Sequence, residues 1–234
     1  MADVVRIGAQ PWYQDNMRVV ASCLAIALCA ACGQPETSAP TEVADPPSAV
    51  SKGVDPARVE RVRPDLPTGY EFTALPARAA PVALWGLGPQ WTADPSSCAG
   101  LADPAADAVV HGWSASGPGG IVYAVVADAR VVLDRAVVNS CGVWSMSAGH
   151  TAGVVNLVDP PAIDGAATLG TVTDLTTTVE GGIETRSHAE TFIAYLGDHV
   201  AYVTVVTDPG SSGPSLGPGV ASDLLVKTVA AIRG

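Results

Sequence analysis

Basic side chains are scarce in this 234-residue sequence, which has 12 lysines and arginines against 23 aspartates and glutamates. The net charge of −11 argues against nucleic acid or an anionic lipid surface as a partner bound through charge. Charged residues of both signs are also few, at 15% of the chain, while apolar residues make up 48%. Most of the chain is therefore expected to pack into a core, and its length allows one good-sized domain plus appendages.

The apolar run Val19–Ala31 is too short to be a stable membrane span. As a helix it would reach about 20 Å, against about 30 Å for the hydrocarbon core of a bilayer. Its position directly after Arg18 is typical of a signal peptide, which we assign to residues 1–31. Two acidic residues precede Met17, whereas a start at Met17 would give an ordinary basic leader, so translation is predicted to begin there.

The end of this run, Leu28–Gly33 (LCAACG), resembles the lipobox of bacterial lipoproteins. Ala30, Ala31 and Cys32 match the pattern, whereas Cys29 stands where leucine is usual. The resemblance implies cleavage before Cys32, palmitate-type acyl chains on that cysteine, and anchoring on the outer face of the cell membrane. The alternative is an ordinary secretory signal with Cys32 merely nearby.

The segment that follows, residues 33–67, contains seven prolines and lacks aromatic residues and apolar periodicity. Such a composition cannot bury enough apolar surface to offset the entropy of the chain. Residues 32–67 are therefore predicted to be the lipidated cysteine and a disordered tether that spaces the domain from the membrane, with a partly helical stretch near Asp55–Val62.

The remaining residues, 68–234, are predicted to form one α+β extracytoplasmic domain. Apolar runs typical of strands lie at 70–75, 109–114, 121–127, 143–147, 151–158, 168–179, 183–195 and 200–207. Helices are predicted after Asp94, over Asp128–Cys141 with Asp128 as a cap, and over Val220–Ile232. We expect a mostly antiparallel sheet with two or three helices packed on one face.

The cysteine count predicts one disulfide bond. Of five cysteines, Cys23 and Cys29 leave with the signal and Cys32 is the lipidation site, so only Cys98 and Cys141 remain. In an oxidising compartment these two are expected to pair, the alternative being two separate buried thiols. Two sulfurs without a CxxC or HxxxH companion are too few for zinc, and no metal or other cofactor is expected.

Two patterns contain residues of catalytic type. His188 with Glu190, and Glu184 with Arg186, share one face of a predicted strand, as a ligand or ion-pair row or as a solvated sheet face. None of the four histidines has a companion at metal-site spacing.

The segment Gly112–Gly117 (GWSASG) superficially resembles a G-x-S-x-G nucleophile elbow. Ser116 stands where the second glycine is needed, and the segment runs into a predicted hairpin and not a helix. We therefore assign no catalytic residue and expect no enzyme. An envelope serine hydrolase that uses Ser114 or Ser116 with His111 or His150 is the catalytic alternative.

Tryptophans are notable in a domain with so few aromatic residues. They could line an apolar ligand pocket, or they could anchor the core. The four concerned are Trp85, Trp91, Trp113 and Trp144.

Several short segments resemble mycobacterial lipoproteins of uncharacterised function: Leu66–Tyr70 (LPTGY), Ala83–Gly88 (ALWGLG), Ser97–Pro104 (SCAGLADP) and Glu184–Ala189 (ETRSHA). The resemblance covers roughly residues 66–234. More loosely, the domain is similar to the extracellular sensor-type domain attached to a mycobacterial Ser/Thr kinase.

These resemblances imply a disulfide-pinned α+β domain that binds something and does not catalyse. We therefore expect a membrane-anchored envelope lipoprotein whose domain binds an apolar ligand, a glycolipid or an envelope protein. The alternatives are the serine hydrolase and a structural or host-facing surface protein.

Overall fold

The computed structural model describes residues 53–207 and 216–234. These residues belong to the second of two compact units, which spans residues 49–234. The signal peptide, the start at Met17, the lipidation site Cys32 and the first part of the tether lie outside the described residues.

Nine strands of the described residues form one sheet in which every neighbouring pair is antiparallel. The order across the sheet is β1-β3-β4-β9-β8-β7-β6-β5-β2. The predicted antiparallel sheet is thus confirmed. The strands are β1 (Glu71–Ala74), β2 (Thr92–Asp94), β3 (Val110–Gly117), β4 (Gly120–Ala127), β5 (Val143–Ala148), β6 (Thr151–Val158), β7 (Ala167–Thr178), β8 (Glu184–Tyr195) and β9 (Val200–Thr207).

The helices are divided between the two faces of this sheet. They are α1 (Pro81–Leu84), α2 (Ala99–Ala102), α3 (Arg135–Ser140) and α4 (Val220–Arg233), with 3-10 turns at Pro56–Asp65, Ser96–Cys98 and Glu180–Gly182. Helix α4 and the first 3-10 helix contribute to one apolar cluster. Helices α1 and α2 contribute to another.

Strand β9 shows why helices must cover both faces of the sheet. Ala201, Val203 and Val205 belong to the cluster of α4, whereas Val200 and Tyr202 belong to the cluster of α1 and α2. Alternate residues of a strand point to opposite faces, so a strand that is apolar on both needs cover on both. The helices therefore cover both faces of the sheet, whereas the expectation was two or three helices packed on one face.

The first 3-10 helix lies in the segment whose composition predicted a tether. Its Val59 and Val62 are 1% and 3% exposed. The indole Nε1 of Trp113 donates a hydrogen bond of 3.0 Å to the carbonyl oxygen of Val59. Residues 56–65 are therefore part of the folded domain, because they bury apolar side chains against α4 and β3.

Two predicted helix caps are wrong. Asp94 is the last residue of β2 and lies opposite Ser145 of β5, so strand pairing takes the place of capping. Asp128 continues from β4 into a loop, and its N–H donates to the carbonyl of Val109. Helix α3 begins only after Asp134, whose carboxylate accepts hydrogen bonds from the first turn of the helix.

The predicted β3–β4 hairpin is confirmed, with Gly117 opposite Gly120 at its turn. Within β3, Gly112 has a φ of +154°, and a Cβ there would overlap the carbonyl oxygen of Ala124 on β4. Only glycine allows this close approach of the two strands.

Candidate functional site

One part of the sheet has a polar surface that no described helix covers. On the sheet, helix α4 packs mainly against β9 and β8. On β2, β5, β6 and β7 a groove of about 540 Å³ lies on the side of the sheet that carries α4. We call this surface the open face and define it by Thr92, Asp94, Ser145, Ser147, Ala152, Val154, Asp174 and Thr176.

Strand register builds the open face from distant parts of the chain. Asp94 lies opposite Ser145, Ser145 opposite Val154, Val154 opposite Asp174, and Asp174 opposite His188. Residues that are directly opposite each other in a sheet point to the same side. A row therefore crosses five strands with a carboxylate at one end and a histidine–carboxylate pair at the other.

The open face is acidic and rich in hydroxyl groups. In the described part of the chain the Asp94 carboxylate has no hydrogen-bond or ion-pair partner. Asp174 Oδ1 lies 2.7 Å from His188 Nδ1, and His188 Nε2 lies 3.9 Å from Glu190 Oε1. The hydroxyls of Thr92 and Ser147 are 3.2 Å apart. The site can therefore accept hydrogen bonds from a ligand at several points.

The row predicted on β8 exists as described from the sequence. Glu184 and Arg186 are paired at 4.0 Å, and His188 and Glu190 continue along the same face. Asp174 of β7 completes the cluster, and spacing along β8 alone could not reveal it.

Two of the other histidines meet at one carboxylate. His111 Nε2 and His199 Nε2 each lie 3.4 Å from an oxygen of Asp128. His111 lies in β3 and His199 directly precedes β9, so only the fold brings them together. Across residues 53–207 and 216–234, no group of three or more histidine, cysteine or acidic side chains is arranged to hold a metal ion.

The serines of the apparent nucleophile elbow lie within β3. The Ser114 hydroxyl donates to the carbonyl oxygen of Thr73 at 3.5 Å, and Ser116 lies opposite Ile121 in the hairpin. Neither hydroxyl is hydrogen-bonded to His111, and His150 lies in the β5–β6 turn.

The tryptophans do not share a pocket. Trp85 and Trp144 are both 2% exposed in one apolar cluster, and Trp113 is fully buried in the cluster on the opposite face. Trp91 is partly buried beside the first cluster. Trp85 Nε1 donates to the Thr191 hydroxyl at 2.8 Å, which anchors the indole to the sheet. These side chains serve the core.

A second concavity lies beside the disulfide. Cys98 and Cys141 are bonded, are both fully buried, and join the start of α2 to the end of α3. Next to them is a cleft of about 230 Å³, here called the disulfide-side cleft. It is lined by Ser97, Gly100, Leu101, Asp103, Pro104, Val131, Val132, Leu133, Asp134, Val137 and Tyr195. Sequence reasoning missed it, because its walls come from three separate segments, residues 97–104, residues 131–137 and Tyr195.

Comparison with known proteins supports the fold. The X-ray structure of an uncharacterized protein from Mycobacterium smegmatis, the Rv0999 ortholog, aligns with a TM-score of 0.57 and 22% identity. The alignment covers 77% of this chain and 98% of that chain.

No curated protein matches this sequence. None of the helices in the described residues has both the length and the apolarity to cross a membrane. A family model, described as a domain of unknown function (DUF5642), matches residues 55–233. The chain therefore belongs to the DUF5642 family.

Proposed function

We propose that this protein is an exported, lipid-anchored component of the cell envelope whose domain binds a ligand through its open face and does not catalyse. The observation that carries the proposal is the groove of about 540 Å³ on that face. Hydroxyl and carboxylate groups from β2, β5 and β7 converge on it, and the Asp94 carboxylate has no hydrogen-bond or ion-pair partner among the described residues. Polar groups that converge on a concavity are typical of a binding site.

The disulfide supports export. Cys98 and Cys141 are 0% exposed and bonded to each other, and such bonds persist in oxidising compartments. The assignment of Cys32 to acyl chains is also what leaves these two cysteines as the only pair.

The anchor is tested by metabolic labelling in a mycobacterial host with an alkyne analogue of palmitate. The full chain should take up the label and fractionate with the membrane. Cys32→Ser should abolish the label and leave the signal uncleaved. Cys29→Ser, the matched control at the neighbouring cysteine, should still be labelled. Labelling of the Cys32→Ser protein would overturn the anchor.

The open face is tested with a photo-crosslinking amino acid placed at Ser147 in cells. The control position is Ser116, which like Ser147 is an exposed serine on a strand but lies on β3, outside the groove. A discrete adduct that forms at position 147 and is absent at position 116 supports binding at this face. No adduct at 147, or the same adduct at both positions, would refute it and would favour a structural surface protein.

A further inference from the structure

The disulfide-side cleft has apolar walls and a buried tyrosine. Leu101 and Pro104 form one wall, and the loop residues Val131, Val132 and Leu133 contribute to the other. The rim residue Val132 is 86% exposed, so the cleft opens to solvent beside it. Its volume of about 230 Å³ is large enough for a ligand of roughly ten non-hydrogen atoms.

Two polar atoms at this cleft lack partners. Tyr195 is only 6% exposed, and its hydroxyl makes no hydrogen bond within the described residues. Oδ1 of Asp103 is buried and also has no hydrogen-bond partner in that part of the chain. A buried polar atom without a partner, such as Asp103 Oδ1, is unfavourable, and a ligand that supplies the missing hydrogen bond would recover that loss.

The charged side chains that line the cleft are all acidic. Asp103 and Asp134 line it, and no lysine, arginine or histidine does. Burial, together with the negative charge of Asp107, raises the pKa of Asp103 above its ordinary value. A ligand cation would relieve both effects, because it would stabilise the ionised carboxylate in place of water. An anionic ligand would be repelled.

We propose that the disulfide-side cleft binds a small primary amine with an aliphatic or aromatic body. The ammonium group donates to Asp103, and the body packs against Leu101 and Val131. The Tyr195 hydroxyl bonds to a polar substituent of the ligand. The cleft is distinct from the open face, and the proposal does not depend on the lipid anchor.

The test uses the full chain with benzylamine as the probe and benzyl alcohol as a neutral probe of the same shape. Binding is measured by changes in backbone amide chemical shifts during titration. A charge-assisted hydrogen bond predicts that the wild type binds benzylamine about tenfold or more tightly than benzyl alcohol. Shifts should be largest at residues of the cleft. Equal affinity for both probes would overturn the proposal.

Single substitutions test whether Asp103 is the group that binds the amine. Asp103→Asn should remove the preference for the amine, whereas Asp159→Asn, at an exposed acid outside the cleft, should keep it. Asp94→Asn, on the open face, should also keep it, so the two sites are tested separately. A preference that survives in Asp103→Asn would refute the assignment.

A second variant covers the case in which Asp103→Asn fails to fold. Val132→Lys adds an ammonium group at a position that is 86% exposed, where surface substitutions generally change stability little. It should weaken benzylamine binding several-fold by competition and charge repulsion, whereas Val132→Thr should bind as the wild type does. Unchanged binding in Val132→Lys would count against the cleft.

Discussion

Removal of the disulfide should destabilise the domain by an amount that follows from the length of the loop that the bond closes. Cys98 and Cys141 are 43 positions apart, so the bond closes a loop of about 44 residues. The chain-entropy model gives about 4 kcal/mol at 25 °C for such a loop. This loop contains α2, the β3–β4 hairpin and α3. Because domains of this size are stable by roughly 5–15 kcal/mol, the loss would be a large share of the total.

The variant is the double substitution Cys98→Ala/Cys141→Ala, measured by equilibrium unfolding in guanidinium chloride. Tryptophan fluorescence is a suitable signal, because Trp85, Trp113 and Trp144 are at most 2% exposed in the folded state. The midpoint should fall, and the slope m should rise, since an uncrosslinked denatured chain exposes more surface.

Wild-type protein unfolded in the presence of a reductant provides the control. It loses the same constraint without the two side-chain substitutions, so its loss of stability should be similar to that of the double variant. If both measurements show a loss below about 1 kcal/mol, the loop-closure account of this disulfide is wrong.

Three further predictions concern single side chains. Tyr202→Phe should lower the free energy of unfolding by about 1–2 kcal/mol, because the Tyr202 hydroxyl donates to the backbone carbonyl of Ala79. Tyr195→Phe removes a hydroxyl without a partner in the described residues, so it should change stability little in thermal unfolding. Gly112→Ala should lower the unfolding midpoint strongly, whereas Gly142→Ala, where a Cβ meets nothing within 4 Å, should not; equal effects would contradict the close strand approach. The pKa of Asp103 is raised in the folded state, so folding favours the protonated carboxyl. The free energy of unfolding is therefore highest, as far as this group is concerned, below the ordinary pKa of 3.8, and it falls as the pH rises through the folded-state pKa. Asp103→Asn should therefore gain stability relative to the wild type as pH rises from 4 to 7 in urea unfolding, and the opposite trend would refute the raised pKa.

Local patterns were sufficient to locate eight of the nine strands, whereas the short edge strand β2 was missed. The run at 200–207 is apolar throughout and forms β9, which is buried on both faces. The glycines at 117 and 120 mark the turn of the β3–β4 hairpin. These signals depend on neighbours in the chain, so they can be read without the fold.

Local signals failed where distant contacts outweighed them. Asp94 and Asp128 have good cap chemistry, but pairing with Ser145 determines the conformation at Asp94, and β4 runs directly into Asp128. The prolines near Val59 and Val62 predicted a tether, yet both valines are buried against α4. Burial against an element about 160 residues away leaves no local periodicity to detect.

The sequence by itself determined the antiparallel sheet, because residue alternation and turn glycines are local properties. It also predicted the pairing of Cys98 with Cys141, because the other three cysteines fall in the predicted signal peptide and lipidation site. Only the tertiary structure decided the two candidate sites. The open face requires the register that aligns Asp94 with His188 across five strands, and the disulfide-side cleft requires the packing that brings Asp103 and Tyr195 to the same concavity. Register and packing join residues that are far apart in the chain, and no spacing along the sequence encodes them.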